Sequence, residues 1–350
     1  MYNSPTISSI LIVKTSSIGD IIQAFPTLSY LRKKFPAAQI DWAVEKSLEP
    51  LVKSHADVSR SIPVDWSRKA LLFKKIREVK YDILFDLQGN CKSGLITLCA
   101  RARVKVGFSY SSAREWPNAL ATNVRYPTVR SSNICLQYMS LAQNYFKDEA
   151  PAPFSPVWLS IQPQERAKIE AIAAGSGQKI MVCPGSKWAN KRLPLETLLS
   201  FLEKVDRDLS PTFYLMWGSA QERSECEEIA KRLPHSLIVE RLSLPSWQNL
   251  MGNMDLVIAV DSSALHLAAL GGVPTFSFFG PTLPEVFKPA GEKHCAIRGS
   301  CPYNRVFEKQ CPILRSCKTG ACVRDLKAEE IYLAFIEWRS RSKSMCASTT

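Results

Sequence analysis

No apolar run in the chain approaches the ~18–20 residues that a membrane-spanning helix needs, so a spanning segment is not expected. The N-terminus also lacks the basic segment, longer apolar core and small-residue cleavage site of a secretory signal. Its first apolar stretch, Ile10-Leu11-Ile12-Val13, is strand-sized, and the expected location is the cytosol, with attachment to a membrane surface left open. Nowhere does the sequence carry the Gly-x-Gly-x-x-Gly of dinucleotide dehydrogenases or the glycine and Lys-Ser/Thr order of a Walker loop, which removes the fingerprints of nicotinamide-dependent reduction and P-loop chemistry. There is no zinc-finger, RRM-like or KH-like motif, and nucleic acid is not an expected partner. No internal repeat of solenoid length is present.

Acidic residues are in deficit: 32 Asp and Glu face 45 Lys and Arg, a formal charge of +13. Such an excess speeds encounter with polyanions. Much of it is local, with Arg68, Lys69, Lys74, Lys75, Arg77 and Lys80 inside thirteen residues. This segment reads either as a solvated basic helix face or as a docking surface for an anionic substrate or membrane. Eleven cysteines in a cytosolic-looking chain should be mostly reduced thiols. Four of them, Cys301, Cys311, Cys317 and Cys322, stand ten, six and five positions apart, which fits no two-knuckle zinc pattern. They read as ordinary thiols, with a metal or redox site as the alternative.

At 350 residues, 46% hydrophobic and 22% charged, the chain has the composition of an ordinary globular protein and the length of two domains. Short β-rich apolar runs alternate with helical patterns through both halves, as in parallel sheets built from βαβ units. Strands are predicted near Ile10–Lys14, Ile40–Val44, Ser61–Val64, Ile83–Asp86 and Val104–Gly107, then near Lys179–Cys183, Phe213–Trp217, Leu237–Val239, Leu256–Val260 and Thr275–Phe279. Pro26 lies inside the first helical pattern, which predicts a kink or a late start. The run Ala150-Pro151-Ala152-Pro153-Phe154-Ser155-Pro156 is the clearest punctuation. The expected fold class is α/β: a domain over 1–160, a second over 161–326, both doubly wound, and a terminal helix over 327–340 packing back toward the first.

In doubly wound sheets, ligands bind beyond the carboxyl ends of strands, where loops lead into helix N-termini. In the first domain that rule selects Lys14-Thr15-Ser16-Ser17-Ile18-Gly19-Asp20. Asp20 falls in the first helical turn, where a carboxylate fits both a capping role and that of a catalytic base. In the second domain the rule selects Asp261-Ser262-Ser263 with His266 one turn later, a helix start suited to phosphate. It also selects Ser186-Lys187 with Lys191-Arg192, whose charges could neutralise a diphosphate. Trp217-Gly218-Ser219 with Glu222 is a third strand end, open to a base- or ribose-binding role or to simple helix capping.

These motifs resemble, in order, those of the bacterial lipopolysaccharide heptosyltransferases, glycosyltransferase family 9. The resemblance runs through Ile12–Asp20, Asp41-Trp42-Ala43-Val44-Glu45, Asp86-Leu87-Gln88-Gly89, Lys191 with Pro194, Trp217-Gly218, Val260–Ser263 with His266, and Phe279-Gly280-Pro281-Thr282. It covers roughly residues 8 to 340, and the opening motif is nearer to heptosyltransferase I than to heptosyltransferase II. The resemblance implies a GT-B fold: two Rossmann-like domains facing a central cleft, acceptor on the first and nucleotide sugar on the second. It implies inverting transfer of heptose from ADP-heptose to a Kdo sugar of Kdo-lipid A, at the cytosolic face of the inner membrane, without a cofactor or metal. Asp20 is then the general base and Lys191 stabilises the departing phosphates. Donor contacts fall to Ser186, Lys187, Trp217, Glu222, Asp261, Ser262, Ser263 and His266. Acceptor contacts fall to Thr15, Ser16, Ser17, Gly19, Arg68, Lys69, Gln88 and Arg114. The sequence departs from the family where Ser186-Lys187 replaces two threonines, where Ser262-Ser263 replaces threonine-glycine, at Arg125 to Asn133, and in the cysteine-bearing segment Cys295–Cys322. A binding protein that grips an anionic surface without chemistry is the competing class.

Overall fold

The computed structural model describes residues 7–149 and 155–347, with side chains as far as Arg341. The punctuation at Ala150 to Phe154 lies outside the described residues. The chain divides into two compact units, Met1–Ser155 and Pro156–Thr350.

The first unit holds a six-stranded sheet of β1 (Ser9–Val13), β2 (Gln39–Glu45), β3 (Arg60–Val64), β4 (Lys80–Asp86), β5 (Arg101–Phe108) and β6 (Val124–Tyr126), all parallel, in the order β3-β2-β1-β4-β5-β6. The second unit repeats the plan with β7 (Lys179–Cys183), β8 (Thr212–Leu215), β9 (Ser236–Ile238), β10 (Leu256–Val260), β11 (Thr275–Phe279) and β12 (His294–Arg298), in the order β12-β11-β10-β7-β8-β9. Strands covered on both faces read as unbroken apolar runs. Ile10-Leu11-Ile12-Val13 and Leu256–Val260 do so because they lie at the middle of their sheets and are buried throughout. Strand order reverses between β1 and β4 in one sheet and between β7 and β10 in the other. A crevice opens at such a reversal, because the flanking connections depart to opposite faces.

One expectation is corrected. The first helix spans Ile18–Lys34 with Pro26 inside it, so it starts before the predicted pattern rather than late. Proline removes one N–H from the helical ladder; the helix here buries Phe25, Pro26 and Leu28 together, so tertiary packing offsets the missing bond. The terminal helix spans Ala328–Ala347, and its apolar face enters the core of the second unit. The Phe335 ring lies 5.6 Å from Phe201 and 5.1 Å from Phe276, in edge-to-face contacts that fix it there.

Candidate active site

In the first unit the candidate residues gather where β1 and β4 end. Gln88, just past β4, is buried, and its Oε1 accepts from the backbone N–H groups of Thr15 at 3.0 Å and Ser16 at 3.1 Å. Gln88 is fixed in turn by Asp86. That buried carboxylate accepts from the backbone N–H of Gln88 and Gly89, each at 3.0 Å, and from Ser93, Thr97 and Asn118 side chains at 2.6–3.1 Å. Five donors satisfy one buried charge, which is the condition for keeping it there. Gly89, at φ +70°, makes the turn out of β4, where a Cβ would lie 3.0 Å from the Phe108 ring.

The turn after β1 then enters the helix at Ile18. Asp20 holds the third helical position: its Oδ2 accepts from the Ser17 backbone N–H at 3.1 Å and the Ser17 hydroxyl at 2.7 Å, closing a capping box. Its other oxygen, Oδ1, accepts from the Tyr138 hydroxyl at 3.1 Å. Burial pushes the Asp20 carboxyl up, but the Lys14 ammonium and the Ser17 and Tyr138 hydrogen bonds outweigh it and hold it below the ordinary carboxylate value. The residue as a whole is only partly buried. Lys14 is buried with its Nζ 4.7 Å from the centre of the Tyr138 ring, a cation–π position. Burial pulls its ammonium down, opposed by Asp20 and assisted by Arg114, so Arg114 belongs to the electrostatic surroundings of this site. Gly19 accepts from Gln23 through its carbonyl at 3.2 Å. Arg68 and Lys69 are exposed just beyond β3, two strands away from β1 along the same sheet edge.

The second unit builds an ionic site on the ends of β7, β8 and β10. Lys191 donates to Asp261 Oδ2 at 2.6 Å, and Thr282 donates to the same oxygen at 2.5 Å. Arg192 donates to Glu222 at 3.1 Å and to the Ser186 carbonyl at 2.8 Å, while the Gly218 N–H donates to Glu222 at 2.8 Å. Gly185 is required by this network, since a Cβ there would stand 2.3 Å from the Glu222 carboxyl carbon. Ser262 precedes the helix Ser263–Leu270, whose first N–H groups have no side-chain cap, and His266 is buried on that helix. Lys187 is exposed, with its Nζ 5.9 Å from the centre of the Trp188 ring, and Arg223 lies over the Trp217 ring at 5.1 Å.

Three buried polar atoms in these two sets have no protein hydrogen-bond partner: Gln88 Nε2, Trp217 Nε1 and Ser262 Oγ. Buried donors are almost always paired, so each orphan asks for a ligand or water. Sequence reasoning missed Tyr138, which touches both Lys14 and Asp20. It lies on the helix Ile134–Phe146, a segment whose Ile134, Tyr138, Leu141 and Ala142 do repeat at helical spacing and could have disclosed it. Cys301, Cys311, Cys317 and Cys322 line one cavity of the second unit as free thiols, and among the described residues no group of three His, Cys, Asp or Glu is arranged to hold a metal ion.

The family model described as glycosyltransferase family 9 (heptosyltransferase) matches residues 70–316, more than half of the chain. Lipopolysaccharide heptosyltransferase 1 of Pseudomonas aeruginosa is 28% identical over 86% of this chain and 87% of its own length. Among solved structures, the E. coli heptosyltransferase WaaC with ADP aligns at a TM-score of 0.76 and 22% identity, covering 94% of this chain and 99% of its own. The E. coli ADP-heptose lps heptosyltransferase II aligns at 0.71 and 20% identity, covering 96% and 99%. Two Rossmann-like units, each with its own parallel sheet, make up the GT-B fold.

Proposed function

The chain belongs to glycosyltransferase family 9, the heptosyltransferases, and from that premise we propose that it moves heptose from ADP-heptose to a Kdo sugar of Kdo-lipid A with inversion. The first unit takes the acceptor and the second the donor nucleotide, at the cytosolic face of the inner membrane. The observation that carries the reading is Asp20: a carboxylate in the first helical turn after β1, held in its ionised form by Lys14, Ser17 and Tyr138.

The acceptor hydroxyl donates to Asp20, and its oxygen attacks the anomeric carbon. As the new C–O bond forms, the bond from that carbon to the β-phosphate oxygen breaks, and its electron pair leaves with ADP. The proton ends on the Asp20 carboxylate, from which water removes it. Negative charge grows on the diphosphate during this step, and preorganised donors lower the barrier where charge grows. Lys191 supplies one such donor set. An ammonium has three N–H bonds, so the one held by Asp261 fixes its direction and leaves two for phosphate oxygens. The uncapped N–H groups at Ser263 and the Ser262 hydroxyl add neutral donors. Trp217, Glu222, His266, Ser186 and Lys187 complete the donor side; Thr15, Ser16, Ser17, Gly19, Gln88, Arg114, Arg68 and Lys69 serve the acceptor, whose carboxylates and phosphates suit the cations.

The test offers purified protein ADP-heptose with Kdo-bearing lipid A and seeks heptosylated product by mass spectrometry. Product from this pair supports the reading. Product only with an acceptor that already bears heptose points to the heptosyltransferase II activity, and ADP-heptose left intact with every acceptor overturns it in favour of a non-catalytic binding protein.

A further inference from the structure

Helices Lys69–Arg77 and Cys91–Cys99 and the 3-10 turn Trp116–Ala121 pack together on the first unit. Their inward residues do ordinary work: Leu72, Ile76 and Ile96 enter the core. Gly94 brings the second helix onto the turn, where a Cβ would lie 3.4 Å from the Asn118 Cα. The outward residues are unusual. Leu71, Leu95, Leu98, Trp116 and Leu120 are 46%, 43%, 58%, 62% and 59% exposed. Single exposed apolar side chains need no explanation, but five on three touching elements form a patch of the kind that marks an interaction site.

The charge on the same elements is one-sided. The stretch from Trp66 to Arg77, the helix Cys91–Cys99 and the turn Trp116–Ala121 hold six cations and no Asp or Glu. The nearest acids are engaged: Asp65 accepts from the Ser67 N–H at 3.0 Å and pairs with Lys46 at 3.4 Å, Glu78 pairs with Arg60 at 2.9 Å, and Glu115 accepts from the Cys91 N–H at 2.8 Å. A nucleic acid would use the cations but gain little from the leucines. Elements that expose both apolar side chains and cations, and whose flanking acids are already paired, complement a bilayer carrying anionic headgroups.

We infer that this face seats the protein on an anionic lipid surface, with Leu98, Trp116 and Leu120 entering the headgroup region and Lys74, Lys75 and Lys92 meeting lipid phosphates. The inference rests on the reading that the acceptor is lipid-borne, and it gives the acceptor-binding unit its own grip on the membrane, independent of the acceptor.

Vesicle co-sedimentation of the full chain, without donor or acceptor, tests it. The protein should bind vesicles of phosphatidylcholine with about one-third phosphatidylglycerol, bind phosphatidylcholine alone far less, and release in about 0.5 M salt. The triple variant Leu98→Ser, Trp116→Ser, Leu120→Ser should lower the partition coefficient by about tenfold or more. Its melting temperature, and its transfer of heptose to a water-soluble deacylated acceptor, should stay as in the parent. A second variant, Lys74→Glu, Lys75→Glu, Lys92→Glu, changes only charges on the same face and should lose the anionic-vesicle binding alone. The inference fails if both variants sediment like the parent, if neutral vesicles bind as well as anionic ones, or if the protein ignores vesicles and binds a DNA oligonucleotide instead. Because binding is read without chemistry, vesicle binding with no transfer sinks the catalytic reading alone, and transfer with no vesicle binding sinks this one alone.

Discussion

In the proposed reaction one carboxylate, Asp20, serves both the helix cap and the chemistry. Oδ2 is spent on the capping box with Ser17, and Oδ1 accepts only the Tyr138 hydroxyl. Replacing it by Asn keeps an acceptor oxygen and removes the base. Asp20→Asn should therefore leave ADP affinity unchanged by calorimetry while lowering kcat by about 10²–10⁴. A variant with the parent's turnover ends the base assignment. The pH dependence follows from the sign of the shift. The working form is the ionised one, and the folded carboxyl lies below its ordinary 3.8. This group's contribution is therefore complete at neutral pH and is lost only as pH falls through that lowered value. The same sign holds for stability: the preference for the charged form stabilises the fold above 3.8 and fades below it. Lys14→Met removes the cation that most opposes burial, so the acid limb of kcat/KM should move to higher pH. An unmoved limb would show that Lys14 does not set the ionisation of the base.

At the scale of elements, the loop leaving β4 is organised by Asp86, whose partners are not evident from the motif Asp86-Leu87-Gln88-Gly89 itself. Its five donors come from the loop backbone, the helix Cys91–Cys99 and the turn holding Asn118. Asp86→Ala strands several buried donors at once, a loss of about 3 kcal/mol or more. It also frees Gln88, which holds the N–H groups of Thr15 and Ser16. The expected result is a lower midpoint in urea and a KM for acceptor that rises much more than the KM for ADP-heptose. Equal rises in both would mean that the loop supports the whole fold and not the acceptor side. The same scale decides what was legible beforehand. Central strands such as Leu256–Val260 and Thr275–Phe279 were readable to the residue, because burial on both faces leaves an unbroken apolar run. Edge strands β6 and β12 carry no such run: Val124–Tyr126 is three residues with an exposed arginine, and His294–Arg298 is only partly buried. The strand ends that present Asp20, Asp261 and Lys191 were legible for the same reason as the strands. What they touch was not, because Tyr138 meets Asp20 across 118 residues and Thr282 meets Asp261 across 21.

For the whole molecule, the proposed assignment of acceptor to the first unit and donor to the second predicts separate footprints for the two ligands. The orphaned Trp217 Nε1 and Ser262 Oγ and the uncapped helix at Ser263 all belong to the second unit, and the orphaned Gln88 Nε2 belongs to the first. A ligand that binds only the folded state slows local opening wherever it supplies missing bonds, by about 2.7 kcal/mol at a hundredfold excess over its dissociation constant. With ADP alone, hydrogen exchange should slow at 184–191, 217–222 and 261–266 and stay unchanged at 15–20 and 86–93. A water-soluble Kdo acceptor without nucleotide should produce the opposite pattern. Protection by ADP at 15–20 with none at 261–266 would reverse the assignment of donor and acceptor to the two units. It would also place Asp20 beside the nucleotide, where a carboxylate repels phosphate and has no acceptor proton to take.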